Sequence, residues 1–423
     1  MRLLHLTLAA CAALGLTTSS FADWPTFRGA DRSGIAPDKG LLKSWPEAGP
    51  KLLWETKGAG RGYASPAIAE GKIITLGDGP SVAEDKDEYL LCFDLKTGEF
   101  LWKTKTGQPW NSGQPDWQGS RSTPTIDGDR VYVITPNGVL VCCQTADGKE
   151  LWRKDLKKEF GGDKADSWGY SESPLVDGDF VVCTPGKEKA TMVALHKKTG
   201  ETIWMCSREG DIGAGHASIA ISHIGGVKVY VTTTGSGVMG VRASDGKLLW
   251  KHDFGKRITA VIPTPIIKDD LVFVPVGYRH GGALFRQIPG ENGAVSVEVV
   301  YDFKPNLANK HGGVVLVGDY LYGDSDDQGV PYCAELTTGE IKWKERGPGS
   351  RSAAVSAADG CLYVRFQDGT MALIEASPES RKVLGAFKIP GSGNVPSWAH
   401  PVINDGKLYL REGDSILCYD LRG

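Results

Sequence analysis

The segment Asp94-Leu-Lys-Thr-Gly-Glu-Phe-Leu-Trp102 returns, degenerate but readable, along almost the whole chain. Its copies join Thr97-Gly98 to Trp102, Asp147-Gly148 to Trp152, Thr199-Gly200 to Trp204, Asp245-Gly246 to Trp250 and Thr338-Gly339 to Trp343, always with three residues between glycine and tryptophan. Asp-Gly and Thr-Gly suit a tight hairpin whose glycine takes a positive φ, so each copy reads as strand, turn, and a strand ending in tryptophan. An alternating apolar strand precedes each turn, as in Leu90-Leu-Cys-Phe93. A further one, typified by Arg130-Val-Tyr-Val-Ile134, follows Asp127-Gly128 and Thr123-Pro-Thr-Ile126. Each unit therefore holds four short strands and no segment of helical period.

Trp54, Trp102, Trp152, Trp204 and Trp250 stand 46 to 52 residues apart, a period that marks propeller blades. From Trp250 to Trp343 is 93 residues, nearly two periods, and Val299-Val-Tyr301 fills the gap with Tyr301 in the tryptophan slot. Leu384-Gly-Ala-Phe387 supplies a last weak copy, with Phe387 read into the slot, for eight in all. The C-terminus ends one strand short after His400-Pro-Val-Ile403, Lys407-Leu-Tyr-Leu410 and Ile416-Leu-Cys-Tyr419, while Lys51-Leu-Leu-Trp54 is an orphan fourth strand. The expected fold is all-β: an eight-bladed propeller of four-stranded antiparallel blades, its ring closed by N- and C-terminal strands. Closure hides an exposed sheet edge. The repeat tryptophans are expected to wedge between blades.

Blades over residues 51–423 consume most of the 423 residues and leave no room for a second domain. Residues 23–50, with Trp24-Pro-Thr-Phe-Arg-Gly29 and Trp45-Pro46, read as an ordered irregular arm because their aromatic rings need burial. Residues 1–22 have the order of a secretory signal, a basic start, an apolar run and small residues at Ser20 and Ala22. The alternative is a lipid anchor on Cys11 in Leu8-Ala-Ala-Cys11, which leaves a short, His5-interrupted run ahead of it. The expected location is periplasmic or secreted, with no transmembrane segment in the exported chain. Cleavage after Ala22 leaves 47 basic and 51 acidic residues, a balance that argues against nucleic-acid binding.

Eight cysteines in an exported chain invite a disulfide framework. The repeat argues otherwise. Cys92, Cys142 and Cys333 each lie ten residues before their tryptophan, Cys418 sits in the matching strand, and the same slot holds Ala194 and Gly240. A slot alternating among Cys, Ala and Gly wants a small apolar side chain, and free cysteine serves.

Strand, Asp-x-x-Thr-Gly-x-x-x-Trp, strand resembles the repeat of PQQ-like (pyrroloquinoline-quinone-type) eight-bladed propellers, over about residues 51–423. That family includes quinoprotein alcohol dehydrogenases and the non-enzymatic propeller lipoprotein of the outer-membrane β-barrel assembly machinery, so the resemblance implies a fold and leaves function open. A dehydrogenase would hold quinone and calcium in its channel, with an Asp as base and a Glu, Asn and Asp converging on one mouth. It would also set a vicinal disulfide against the cofactor. Cys142-Cys143 lies instead within the strand leading into Asp147-Gly148, where buried free cysteines are the expectation. Asp324-Ser-Asp326-Asp-Gln328-Gly329, with Glu335 beyond, partly imitates a calcium loop. Gln328 stands where a carboxylate or Asn is usual, no helix follows, and the repeat position is that of a hairpin. No Ser/His/Asp set can be assembled from spacing, and neither a haem-attachment motif nor a phosphate loop is present.

One column remains. Three residues before the first-strand proline, or its equivalent, stand Tyr63, Arg121, Ser171, His216, Ile262, His311 and Trp398, with Arg351 close to register. First strands line a propeller's channel, so the column should ring one mouth. Tyr63, Arg121, His216, His311, Arg351 and Trp398 are the candidate ligand-binding residues, for an anionic or π-rich group, with the histidines adding charge as pH falls. The bland reading is that these side chains bond neighbouring blades. The sequence therefore points to a monomeric, non-catalytic binding or scaffolding protein for a protein partner, an envelope component among the candidates, or an anionic small ligand such as a carboxylate-bearing peptide end or an acidic sugar, with a carbohydrate or polyanion receptor using the aromatic connections as a third reading. No cofactor is expected unless the quinoprotein alternative holds.

Overall fold

In a computed structural model, residues 23–79, 87–255, 261–326 and 328–423 are described. The signal segment and Cys11, part of the acidic insertion before Glu88, and Asp327 lie outside them. Eight antiparallel sheets follow one another along the chain. The first runs Ala67–Ala69, Lys72–Gly77, Glu88–Asp94, Phe100–Gly107, and this order of inner to outer strand repeats in every blade. The eighth blade takes Val402–Asn404, Lys407–Glu412 and Ser415–Asp420 from the C-terminus and its outer strand, Leu52–Lys57, from the N-terminus. Trp54 there faces Cys418, as Trp102 faces Cys92 and Trp152 faces Cys142.

This register explains the repeat. Each tryptophan lies across from the slot read as small, and at Gly240 an added Cβ would collide with the Trp250 indole. The indole then reaches the hairpin of the next blade. A Cβ on Gly98 (φ +74°) would come within 2.8 Å of Trp54, and one on Gly200 within 2.9 Å of Trp152. The glycine thus serves both the left-handed turn and a close approach. Trp152, Trp204 and Trp343 donate Nε1–H to the carbonyls of Lys197, Ala243 and Ser377 in the following blade. Trp204, Trp250 and Trp343 are buried, whereas Trp54, Trp102 and Trp152 are half-buried.

The seventh blade corrects the sequence reading. Phe387 is not in the tryptophan slot, because strand pairing sets Leu373 opposite Gly385 and shifts register directly after it, as it does after the Trp102 pair in the first blade. The missing indole comes from the arm. Trp45 lies 5.8 Å from the Tyr363 ring, where Trp152 and Trp343 lie 6.0 and 6.1 Å from Tyr132 and Tyr322. All eight described cysteines are buried and free.

The arm does more than bury its aromatics. Ile35–Ala36 forms a short parallel pairing with Ala357 and Ala358, a strand where irregular chain was expected. Trp24 bridges Ile68, Pro25 accepts from the Ile126 amide, and Thr26 bonds Thr125. Arg32 donates to the carbonyls of Ser173, Pro174 and Ile219, and Arg28 to that of Val314. Inner strands are sheet edges with unpaired carbonyls, and these two buried arginines satisfy several of them. The arm thereby crosses the channel and closes one end.

Candidate functional site

Two residues in from the column, inner strands of adjacent blades are stitched by hydroxyl groups. The amides of His400, Ser65, Thr123 and Ser173 donate in turn to the side-chain oxygens of Ser65, Thr123, Ser173 and Ser218, at 2.8 to 3.1 Å. At the sixth and seventh blades this position is Gly313 and Ala353, and a Cβ on Gly313 would strike the Arg28 guanidinium. At Gly313 the arm fills the gap with Arg28, and at Ala353 the amide donates to Asp324 instead.

Above the belt the channel is a blind cavity of about 460 Å³. Phe27 of the arm, edge-on to His400 at 4.8 Å, forms its floor, and Ser65, Thr123 and Ser173 its lower wall. All six candidate residues, Tyr63, Arg121, His216, His311, Arg351 and Trp398, line it, together with Ser171 and Ile262 of the same column. The connections add Trp117 and Trp168, and the fifth-blade insertion adds Tyr278. Lys310, Phe27, Gln367 and His400 were missed. His400 lies two beyond a column residue, so alternation along the inner strand was a usable signal for it, whereas alternation would set Lys310, next to a column residue, on the other face, and nothing local marks Phe27.

On one side the rings form an arc. Tyr63 lies 4.7 Å from Trp398, Trp398 6.2 Å from Trp117, and Trp117 5.5 Å from Trp168, with planes inclined by 47 to 51°. Arg121 sits over Trp110 at 4.6 Å and Tyr63 at 5.6 Å. Its hydrogen bonds go to the carbonyls of Gly119 and Trp117. Burial lowers its pKa to about 10, opposed by Tyr63, Asp166 and Asp78, so the guanidinium remains charged, and it is in no ion pair among the described residues. Opposite, Lys310 lies over Tyr278 at 4.8 Å, and Arg351 is exposed in a left-handed conformation, φ 64°. Among the described residues no carboxylate lines the cavity.

The structure also assembles what spacing could not. Ser171 Oγ is 2.6 Å from His216 Nδ1, and His216 Nε2 is 2.8 Å from Asp166 Oδ2. The connectivity is that of nucleophile, base and orienting carboxylate. The electrostatics are not. Burial, reinforced by Lys164 and Arg121, lowers His216 to about 4, while Asp166 is held ionised below its usual range by the imidazole and Lys164 despite its own burial. An imidazole that weak is far from the near-neutral pKa an effective general base needs. The chain instead ties the third and fourth blades together. His400 is lowered to about 3 and His311 well below its ordinary value, each chiefly by burial with neighbouring cations adding. The expectation that His216 and His311 gain charge as pH falls through their ordinary range is thus corrected: both stay neutral there, as does His400.

A calcium-bound quinone does not fit the donors present. Among the described residues the lining holds no converging Glu, Asn and Asp. Cys142 and Cys143 are buried within the strand Val139–Gln144, opposite Trp152 and Glu150, and neither lines the cavity. In the loop that imitates a calcium site, Asp324 accepts from the Ala353 amide and Asp326 from that of Arg279, each a tie to another blade's connection.

Comparison with known proteins adds the following. The family described as "Outer membrane protein assembly factor BamB" matches residues 86–345, more than half of the chain. No curated protein sequence matches. BamB from Moraxella catarrhalis is 14% identical with a TM-score of 0.58, covering 88% of this chain and 98% of that one. A europium-containing methanol dehydrogenase is 12% identical with a TM-score of 0.66, covering 93% and 89%. The quinohemoprotein alcohol dehydrogenase from Comamonas testosteroni is 12% identical with a TM-score of 0.64, covering 95% and 81%. At these identities the structural likeness is one of fold.

Proposed function

The chain belongs to the BamB family of outer membrane protein assembly factors, and from that we propose that it is an exported, non-catalytic binding protein whose blind channel captures an anionic group. The observation that carries this is Arg121. A charged, half-buried guanidinium, bonded to two backbone carbonyls and flanked by aromatic faces, is in no ion pair among the described residues. It borders a cavity whose described lining holds no carboxylate, with Asp166 and Asp78 acting on it only at a distance. Buried charges are ordinarily paired, and an arriving carboxylate would pair this one with the geometry a guanidinium favours. Lys310 and Arg351 raise the positive potential at the mouth and aid capture. The anion is borne by a small ligand or by the end of a protein partner in the envelope, and the protein works as a monomer without quinone or calcium. The donor set described above supports that last point against a dehydrogenase.

The test is equilibrium binding of small carboxylates and phosphates, and of labelled peptides with a free C-terminal carboxylate, to the parent and to Arg121→Ala/Arg351→Ala. Binding should be lost in a double variant of unchanged melting temperature. Unchanged binding would make these cations packing features and move the interaction surface to the outer loops. Absorbance and metal analysis of protein from its own host checks the cofactor: a bound quinone would overturn the reading.

A further inference from the structure

We infer that the anion this cavity takes is a small carboxylic acid with an apolar body, such as an arylalkanoate, an inference that rests on the anion-binding reading above. Two features of the wall select the body, and Arg121 selects the acid.

The first is apolar surface that the fold leaves uncovered. Phe27, Tyr63, Trp117, Trp168, Ile262 and Trp398 all line the cavity, and all are only half-buried. Rings and a branched aliphatic chain gathered in a blind recess of about 460 Å³ mark a site for an apolar group. The arm does not cover them, because its own contribution, Phe27, is part of the lining.

The second is that most polar side chains of the wall are already bonded within the protein. Tyr63 Oη donates to the Asp116 carbonyl, and Ser171 is held by His216, itself bonded to Asp166. His311, Ser352 and Gln367 form another such chain. Ser65, Thr123 and Ser173 each accept an amide of a neighbouring blade. Burial keeps His216, His311 and His400 neutral. A ligand bearing many hydroxyl, phosphate or amide groups would give up its water on entry and find few partners, a cost that an apolar body does not incur.

Arg121 is the exception to that closed set. It is half-buried and bonds the Gly119 and Trp117 carbonyls, which leaves further N–H groups of its guanidinium for a ligand. A carboxylate meets them with its two oxygens, whereas a phosphate brings a third that needs another donor. Charge and ring faces adjoin at Tyr63, 5.6 Å from the guanidinium on one side and 4.7 Å from the Trp398 ring on the other. A molecule whose apolar body directly follows its carboxylate reaches both. The volume lies within the range of about 300–1,000 Å³ usual for small-molecule sites.

The experiment titrates the protein with straight-chain carboxylates from acetate to octanoate, and with phenylacetate and 3-phenylpropionate, following calorimetry and tryptophan fluorescence. Comparison probes are phenylacetamide, phenyl phosphate, citrate, glucuronate and a peptide ending in phenylalanine. Affinity should rise about three- to fourfold with each methylene of the straight-chain series until the recess is full. The aryl acids should bind at least tenfold more tightly than every comparison probe, and Ile262→Ser should lessen the rise along the series. That rise is read on the parent, so the outcome does not depend on a variant folding. An affinity independent of chain length overturns the apolar body and leaves the anion reading standing. So does tighter binding of citrate, glucuronate or phenyl phosphate that is lost in Arg121→Ala. A peptide that binds more tightly than 3-phenylpropionate overturns the small acid in favour of a chain end. Phenylacetamide binding as tightly as phenylacetate overturns both the acid and the anion reading, and if no anion binds, both fall.

Discussion

Trp45 stands against Gly385, so close that a Cβ on the glycine would come within 2.6 Å of the tryptophan's own Cβ. The Trp45 amide also donates to the Leu384 carbonyl. A residue of the N-terminal arm, at the other end of the chain from the strands of its blade, thus fills the seventh blade's empty slot, packed between Tyr363 and Phe387 at 5.8 and 5.7 Å. Five of the blades fill that slot with a tryptophan from their own outer strand, and the eighth takes Trp54 from the N-terminal strand.

Trp45→Ala should therefore destabilise as a core deletion does, by about 3–5 kcal/mol, and as much as Trp204→Ala, the usual range for a buried aromatic. Denaturant titration of both variants measures this. A loss below about 1 kcal/mol for Trp45 would mean that the arm is an appendage.

Ring closure depends on the pairing of Leu52–Lys57 with Ser415–Asp420. Deleting residues 51–57 bares the edge of the last blade, and the variant should aggregate on refolding. A soluble deletion protein that melts with the parent would contradict the pairing as the source of closure.

The eight cysteines should be reduced and, in the native state, silent. Burial raises Cys92 and Cys418 to about 12 and Cys142 and Cys333 to about 11, so little thiolate exists at pH 8. Thiol titration without reductant should find most of the eight after denaturation and few before it. Finding none after denaturation would show disulfides.

Glu88 is buried and bonded to Ser120 and Thr106, and burial raises its carboxyl to about 8. It is neutral in the fold but ionises near 4.5 when unfolded, so its contribution is fully present below pH 4.5 and is lost as pH rises toward 8. Glu88→Gln should match the parent at pH 4 and exceed it by about 2–3 kcal/mol at pH 7. Equal stability at pH 7 would mean that the carboxyl is ionised in the folded protein.

What the sequence determined by itself is the periodic part of the molecule. The hairpin glycine, the tryptophan and the small slot between them recur because each blade must present the same surface to its neighbour, and such a constraint is written locally and repeatedly. The column was readable for the same reason: strands in register carry equivalent residues to equivalent places, so spacing alone sets Tyr63, Arg121, His216, His311, Arg351 and Trp398 at one mouth. Everything that breaks the repeat, by contrast, is set by contacts between segments far apart in the chain. Trp45 in the seventh blade's slot, Phe27 as a floor, and Arg28 where Gly313 leaves a gap are contacts between an arm without period and distant strands, and no spacing encodes them. The charge states belong there too. His216, His311 and His400 look titratable in a sequence, but their neutrality follows from desolvation and from cations brought beside them by folding, which depend on the whole ring being closed.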